Sequence, residues 1–166
     1  ALDTVGGFTP QGIANLAWAF ATSRHACPRL LLAMENYLLE SCSADKSFLT
    51  KFTNQNLSNL VWAMSVLGHQ APQLYTAISE TLRTRVALSA QHTATIVWAY
   101  AVAGLMPPTK LDKLRSNIVQ PADEFGETGL CSLFNAELAL TIHKPELAPC
   151  CVLPTPVRSL AERSWR

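Results

Sequence analysis

The chain has 166 residues, 49% of them apolar, so it is long enough for one sizeable core and too apolar to be disordered. Its formal net charge of +1 excludes strong whole-chain attraction to a polyanion and leaves any nucleic-acid binding to a local arrangement of residues. No apolar run reaches the roughly 18 residues of a membrane-spanning helix, and five cysteines, odd in number and without a CxxC pair, argue against a disulfide framework or a zinc site.

Residues 1–7 read as the tail of a preceding unit, and with no initiator Met the chain reads as a segment of a longer protein. Thr9 then caps a helix: its hydroxyl can accept from the free backbone N–H groups of the first turn, and Pro10 follows where a missing N–H costs nothing. The stretch Thr9–Phe20 (TPQGIANLAWAF) predicts a helix of about twelve to fourteen residues. Arg24 stands where later copies carry glycine, so this helix is expected to end differently from them. Pro28 opens a second helix with Leu30, Leu31, Met34 and Leu38 along one stripe. Ser43–Phe52, with Lys46 and Lys51, reads as an inter-repeat loop.

Thr53–Met64 (TNQNLSNLVWAM) restates the first phrase 44 residues on, and Ser89–Tyr100 (SAQHTATIVWAY) restates it 36 residues after that. In each copy a hydroxyl residue is followed by Gln two places on and Trp nine places on: Thr9/Gln11/Trp18, Thr53/Gln55/Trp62 and Ser89/Gln91/Trp98. Leu57, Leu60, Val61, Met64 and Leu67 recur at helical steps, and Ile96, Val97, Tyr100 and Val102 do similar work in the third copy. Gly68 and Gly104 fall where a left-handed residue would close the helix. Pro72 and Pro108 open second helices, with stripes Leu74, Tyr75, Ile78, Leu82 and Leu111, Leu114, Ile118. Residues 119–127 read as a loop, and a degenerate fourth copy begins near Thr128, with Leu130, Leu133 and Phe134 apolar and Asn135 in the Trp position. Four prolines break the pattern over 144–157, before a last short helix at Val157–Trp165.

These elements predict an all-α chain, a right-handed α-solenoid of stacked helical hairpins. It has about three and a half repeats, over 9–52, 53–88, 89–127 and a degenerate 128–166, in a single repeat domain. Flanked by apolar residues, the three tryptophans are read as repeat core rather than as stacking platforms, and so are Phe20, Tyr37, Tyr75 and Tyr100. The candidate site residues are polar pairs one turn apart: Gln11 with Asn15, Gln55 with Asn59 (Asn56 beside them), and Gln91 with Thr95 (His92 beside them). Amides both donate and accept, which suits base edges; equally, such residues at a first turn can serve only to satisfy backbone groups. Arg83, Arg85, Lys110 and Lys113 are candidate phosphate contacts, or complements to helix dipoles. No GxGxxG, GxxxxGK[ST], GxSxG or HExxH motif occurs, so no enzyme, cofactor or metal is expected.

NLAWAFA, NLVWAMSVLG and TIVWAYAVAG resemble the LANTLWALAKLG signature of octotricopeptide repeats, found in organellar proteins of algae and protists. The same phrasing occurs in the helical region of proteins related to the FAST kinase-domain family, which end in a RAP domain. LCSLFNAELAL at 130–140 and LPTPVRSLAERSW at 153–165 are similar to the segment preceding that domain; the RAP domain itself is missing. The resemblance implies a module that binds single-stranded RNA in a mitochondrion or, alternatively, a chloroplast, in RNA stability, processing or translation. On it, Gln11, Asn15, Gln55, Asn59, Gln91 and Thr95 would read bases. The alternative is a protein-binding scaffold within an organellar ribonucleoprotein, which the near-neutral charge favours.

Overall fold

A computed structural model describes residues 5–85, 88–105 and 122–165, and every regular element among them is helical. The helices are α1 (Pro10–Thr22), α2 (Pro28–Ala44), α3 (Asn54–Val66), α4 (Pro72–Arg83), α5 (Ala90–Ala103), α6 (Gly126–His143) and α7 (Thr155–Trp165). Short 3₁₀ turns lie at Val5–Gly7, Phe48–Lys51, Ala122–Phe125 and Ala148–Cys151. The second helix expected after Pro108, with Leu111, Leu114 and Ile118, lies outside the described residues.

The repeated phrase starts each helix by one mechanism. Thr9 Oγ1 accepts from Gly12 N at 3.1 Å, Thr53 Oγ1 from Asn56 N at 3.1 Å, and Ser89 Oγ from His92 N at 3.2 Å. Pro28 and Pro72 occupy the first positions of α2 and α4, as expected of a residue with its φ preset and no N–H to satisfy.

The helix ends correct one expectation. Gly68 and Gly104 close α3 and α5 in the left-handed region, at φ +67° and +66°. Arg24 closes α1 in that same region, at φ +52°. The backbone bonds agree: His25 N donates to Phe20 O, His69 N to Met64 O and Leu105 N to Tyr100 O, each spanning five residues. This is one Schellman-type ending used three times, so α1 does not end differently; its Arg accepts a conformation that disfavours a Cβ.

The chain divides into two compact units, Ala1–Leu82 and Arg83–Arg166. In the first, α1 packs along α3. Ile13, Ala14, Ala17 and Ala21 are the buried residues of α1, and the three alanines are small enough for a close approach. Tyr75 ties α4 to α3: its hydroxyl donates to Val61 O at 3.1 Å and lies 2.7 Å from Ser65 Oγ. Glu35 of α2 meets His69, just past α3, at 2.8 Å. The segment between α2 and α3 contributes to the core, because its 3₁₀ turn buries Leu49 and the next residue, Phe52.

In the second unit α6 packs along α5 and α7 packs on α6. A Cβ added at Gly129 of α6 would stand 3.6 Å from Ala94 Cβ of α5, which shows how closely the two backbones approach. Leu133, Ala136 and Leu140 are fully buried. Thus α6, starting at Gly126 and not at Thr128, flanks α5 as α3 flanks α1.

The aromatics divide. Tyr75 and Tyr100 are buried, as the core reading requires, while Phe20 and Tyr37 are half-buried. Among the repeat tryptophans Trp18 departs from it, at 47% exposed, while Trp62 and Trp98 are half-buried. Apolar neighbours in sequence misled here. Helical rotation places those neighbours on another face than the indole.

Candidate nucleic-acid interface

The six principal candidates occupy equivalent positions on α1, α3 and α5, in the first two turns after each cap. Gln11, Asn15, Gln55 and Gln91 are exposed; Asn59 and Thr95 are half-buried. Among the described residues none of these six side chains is held by a hydrogen bond or ion pair. Their amides and hydroxyl are therefore available to an outside donor or acceptor, and being neutral they accept either polarity.

Asn56 and His92 have local duties instead. Asn56 is buried, and its Oδ1 accepts from Thr53 N at 3.1 Å, completing a reciprocal capping box. His92 is half-buried with Nδ1 3.0 Å from Ser89 Oγ, and burial pushes its pKa below the ordinary value. A neutral ring accepting the Ser89 proton at Nδ1 fits that bond.

The basic candidates are unevenly available. Arg83 is exposed at the end of α4. Arg85 is half-buried, and desolvation lowers its pKa. Lys110 and Lys113 lie outside the described residues. Lys51 pairs with Asp45 at 3.0 Å and stands over the Phe48 ring.

Two features of the surface escaped the sequence reading. An open groove of about 340 Å³ joins Gln91 and Thr95 of α5 to the start of α6, lined also by Glu124, Phe125, Glu127, Thr128 and Ser132. It therefore sets two carboxylates beside the third amide position, with no cation in its lining among the described residues. The acidic run 123–127 is visible in the sequence, but only the packing of α6 on α5 brings it there.

The second feature is a stripe. Gln11, Asn15, Trp18 and Thr22 follow one another at steps of four, three and four, so they share one face of α1. Gln55, Asn59, Trp62 and Val66 repeat this on α3, and Gln91, Thr95, Trp98 and Val102 on α5. The buried residues of α1 (Ile13, Ala14, Ala17, Ala21) lie on other positions. Each indole is thus on the side of the polar pair.

Among the described residues no group of His, Cys, Asp and Glu could hold a metal ion, and no helix is long and apolar enough to cross a membrane. Compared with known proteins, the chain matches no family model, no curated protein and no solved structure.

Proposed function

We propose that the chain is a single-stranded RNA-binding module of the helical-repeat kind, its hairpins stacked as a right-handed α-solenoid. It acts in an organelle, the mitochondrion before the chloroplast, in the stability, processing or translation of transcripts. The organellar part rests on the resemblance of the Trp phrases to octotricopeptide and FAST kinase-related repeats. The observation that carries the reading is the recurrence of Gln11/Asn15, Gln55/Asn59 and Gln91/Thr95, unengaged, at one register of three similarly capped helices. A one-off polar pair would be an ordinary solvated helix start; the same pair kept at the same register suits a ligand that is itself periodic. Binding needs no catalytic group, cofactor, metal or small-molecule substrate.

The test is retention of a random single-stranded RNA pool on a filter at two salt concentrations. The expected result is binding that weakens as salt rises, with Gln55→Ala/Asn59→Ala changing which RNAs are retained. Failure to retain any RNA at low salt sinks the proposal. One observation favours the protein scaffold as second reading: Glu124 and Glu127 beside Gln91 and Thr95 suit a cationic protein segment better than a phosphate chain.

A further inference from the structure

We infer that Trp18 is a stacking platform for an unpaired nucleobase, with Trp62 and Trp98 as its equivalents. Each of α1, α3 and α5 then carries one base subsite, made of an indole and the amide or hydroxyl pair preceding it. This rests on the RNA reading above and adds to it the aromatic contact, which that reading does not contain.

The argument starts from exposure. A Trp left 47% accessible in a helix that buries Ile13, Ala14, Ala17 and Ala21 on its other side has not been placed for packing within its own unit. In position it continues the polar stripe: Trp18 is three residues past Asn15 and seven past Gln11, about 4.5 Å and about 10 Å along the axis. A helical side chain leans back over the turn N-terminal to its own Cα, so the indole of Trp18 reaches toward Asn15. A base lying flat on that indole would turn its hydrogen-bonding edge toward the Asn15 amide, with Gln11 a further turn away. Stacking supplies affinity indifferent to sequence, because every base has a π face, while the amides supply the choice.

The composition of the stripe also selects the occupant. On α1 Gln11, Asn15 and Thr22 surround Trp18, so polar groups separate the indole from exposed Phe8, a turn before Gln11, and leave only the small Ala19 as exposed apolar surface beside it, which is a poor core for a partner helix. A base needs one aromatic plane and one or two amides. That the grouping recurs on α3 and α5, with the indole in the same place each time, again matches a ligand built of repeated flat units.

The experiment uses the full chain with a random-sequence single-stranded RNA of about 20 nucleotides and an abasic ribose-phosphate strand of equal length. Trp18→Ala is expected to weaken binding of the RNA about tenfold and to leave binding of the abasic strand unchanged, while Trp18→Phe keeps most of the affinity. Saturating RNA should quench wild-type indole emission, and less so in Trp18→Ala. If the wild type binds RNA and Trp18→Ala binds it equally well, or wild-type emission does not respond, the stacking inference is overturned and the RNA reading stands. If the wild type binds no RNA, both fall. If Trp18→Ala instead abolishes self-association in sedimentation while leaving RNA binding intact, the face belongs to a second copy of the chain and the inference is overturned. The emission test needs no variant, so a poorly folding Trp18→Ala does not shield the idea.

Discussion

Arg24 holds a backbone conformation that a side chain with a Cβ enters at a cost of about 1 kcal/mol, and it does so because Ala21 and Phe20 still need donors for their carbonyls. The closing hydrogen bonds of α1 impose the left-handed turn; the residue type does not choose it. The side chain is exposed, so little packing is lost on removing it. Arg24→Gly should therefore raise stability by about 0.5–1 kcal/mol, read as a rise of a few degrees in Tm. The mirror experiment is Gly68→Ala, at φ +67°, where an added Cβ meets no atom within 4 Å. Its loss of about 1 kcal/mol would come from the backbone alone. Equal Tm values for wild type and Arg24→Gly would mean that the turn at Arg24 is not strained.

Elements were legible where the information was local. Thr9, Thr53 and Ser89 mark three helix starts because capping involves neighbours three residues apart, and Pro28 and Pro72 mark two more for a reason confined to one residue. Burial was legible for Tyr75 and Tyr100 but not for Trp18, since which flank of a helix is covered depends on what packs there. Asn56 shows the same limit within a site: its neighbours Gln55 and Asn59 are available, while its own amide is spent on the cap. Between elements, Tyr75 is the clearest single link. With its proton donated to Val61 O, it accepts from Ser65, and desolvation pushes its pKa up to about 12. Tyr75→Phe leaves Ser65 without that acceptor and should cost about 1–2 kcal/mol at neutral pH, measured by urea unfolding. The pH dependence follows from the raised value. In the unfolded chain the phenol ionises near pH 10, whereas the folded chain resists ionisation until about 12. Its contribution is therefore full below pH 10 and lost as pH climbs toward 12, and the gap between wild type and Tyr75→Phe should narrow over that window. A constant gap would mean that the hydroxyl is hydrated in the folded chain.

At the scale of the whole molecule the net charge of +1 leaves local fields to decide which polyanion, if any, can approach. The two units differ in this respect. In the first unit the amide positions of α1 and α3 are neutral; in the second, Glu124 and Glu127 line the groove that contains Gln91 and Thr95. If RNA follows all three helices, those carboxylates oppose it at the third, and their removal should show. Glu124→Gln/Glu127→Gln is expected to tighten single-stranded RNA binding about three- to tenfold at low salt, the advantage shrinking as the Debye length falls below the charge separation. Glu127 lies in the first turn of α6, where an acid complements the helix dipole, so the same variant should lose a few tenths of a kcal/mol in stability. Tighter binding from a slightly less stable protein cannot be credited to better folding; it would place the phosphate chain at α5. Unchanged RNA affinity would confine recognition to α1 and α3. If the variant also lost affinity for an arginine-rich peptide that the wild type binds, the groove would belong to the scaffold reading, with Gln91 and Thr95 as its polar floor.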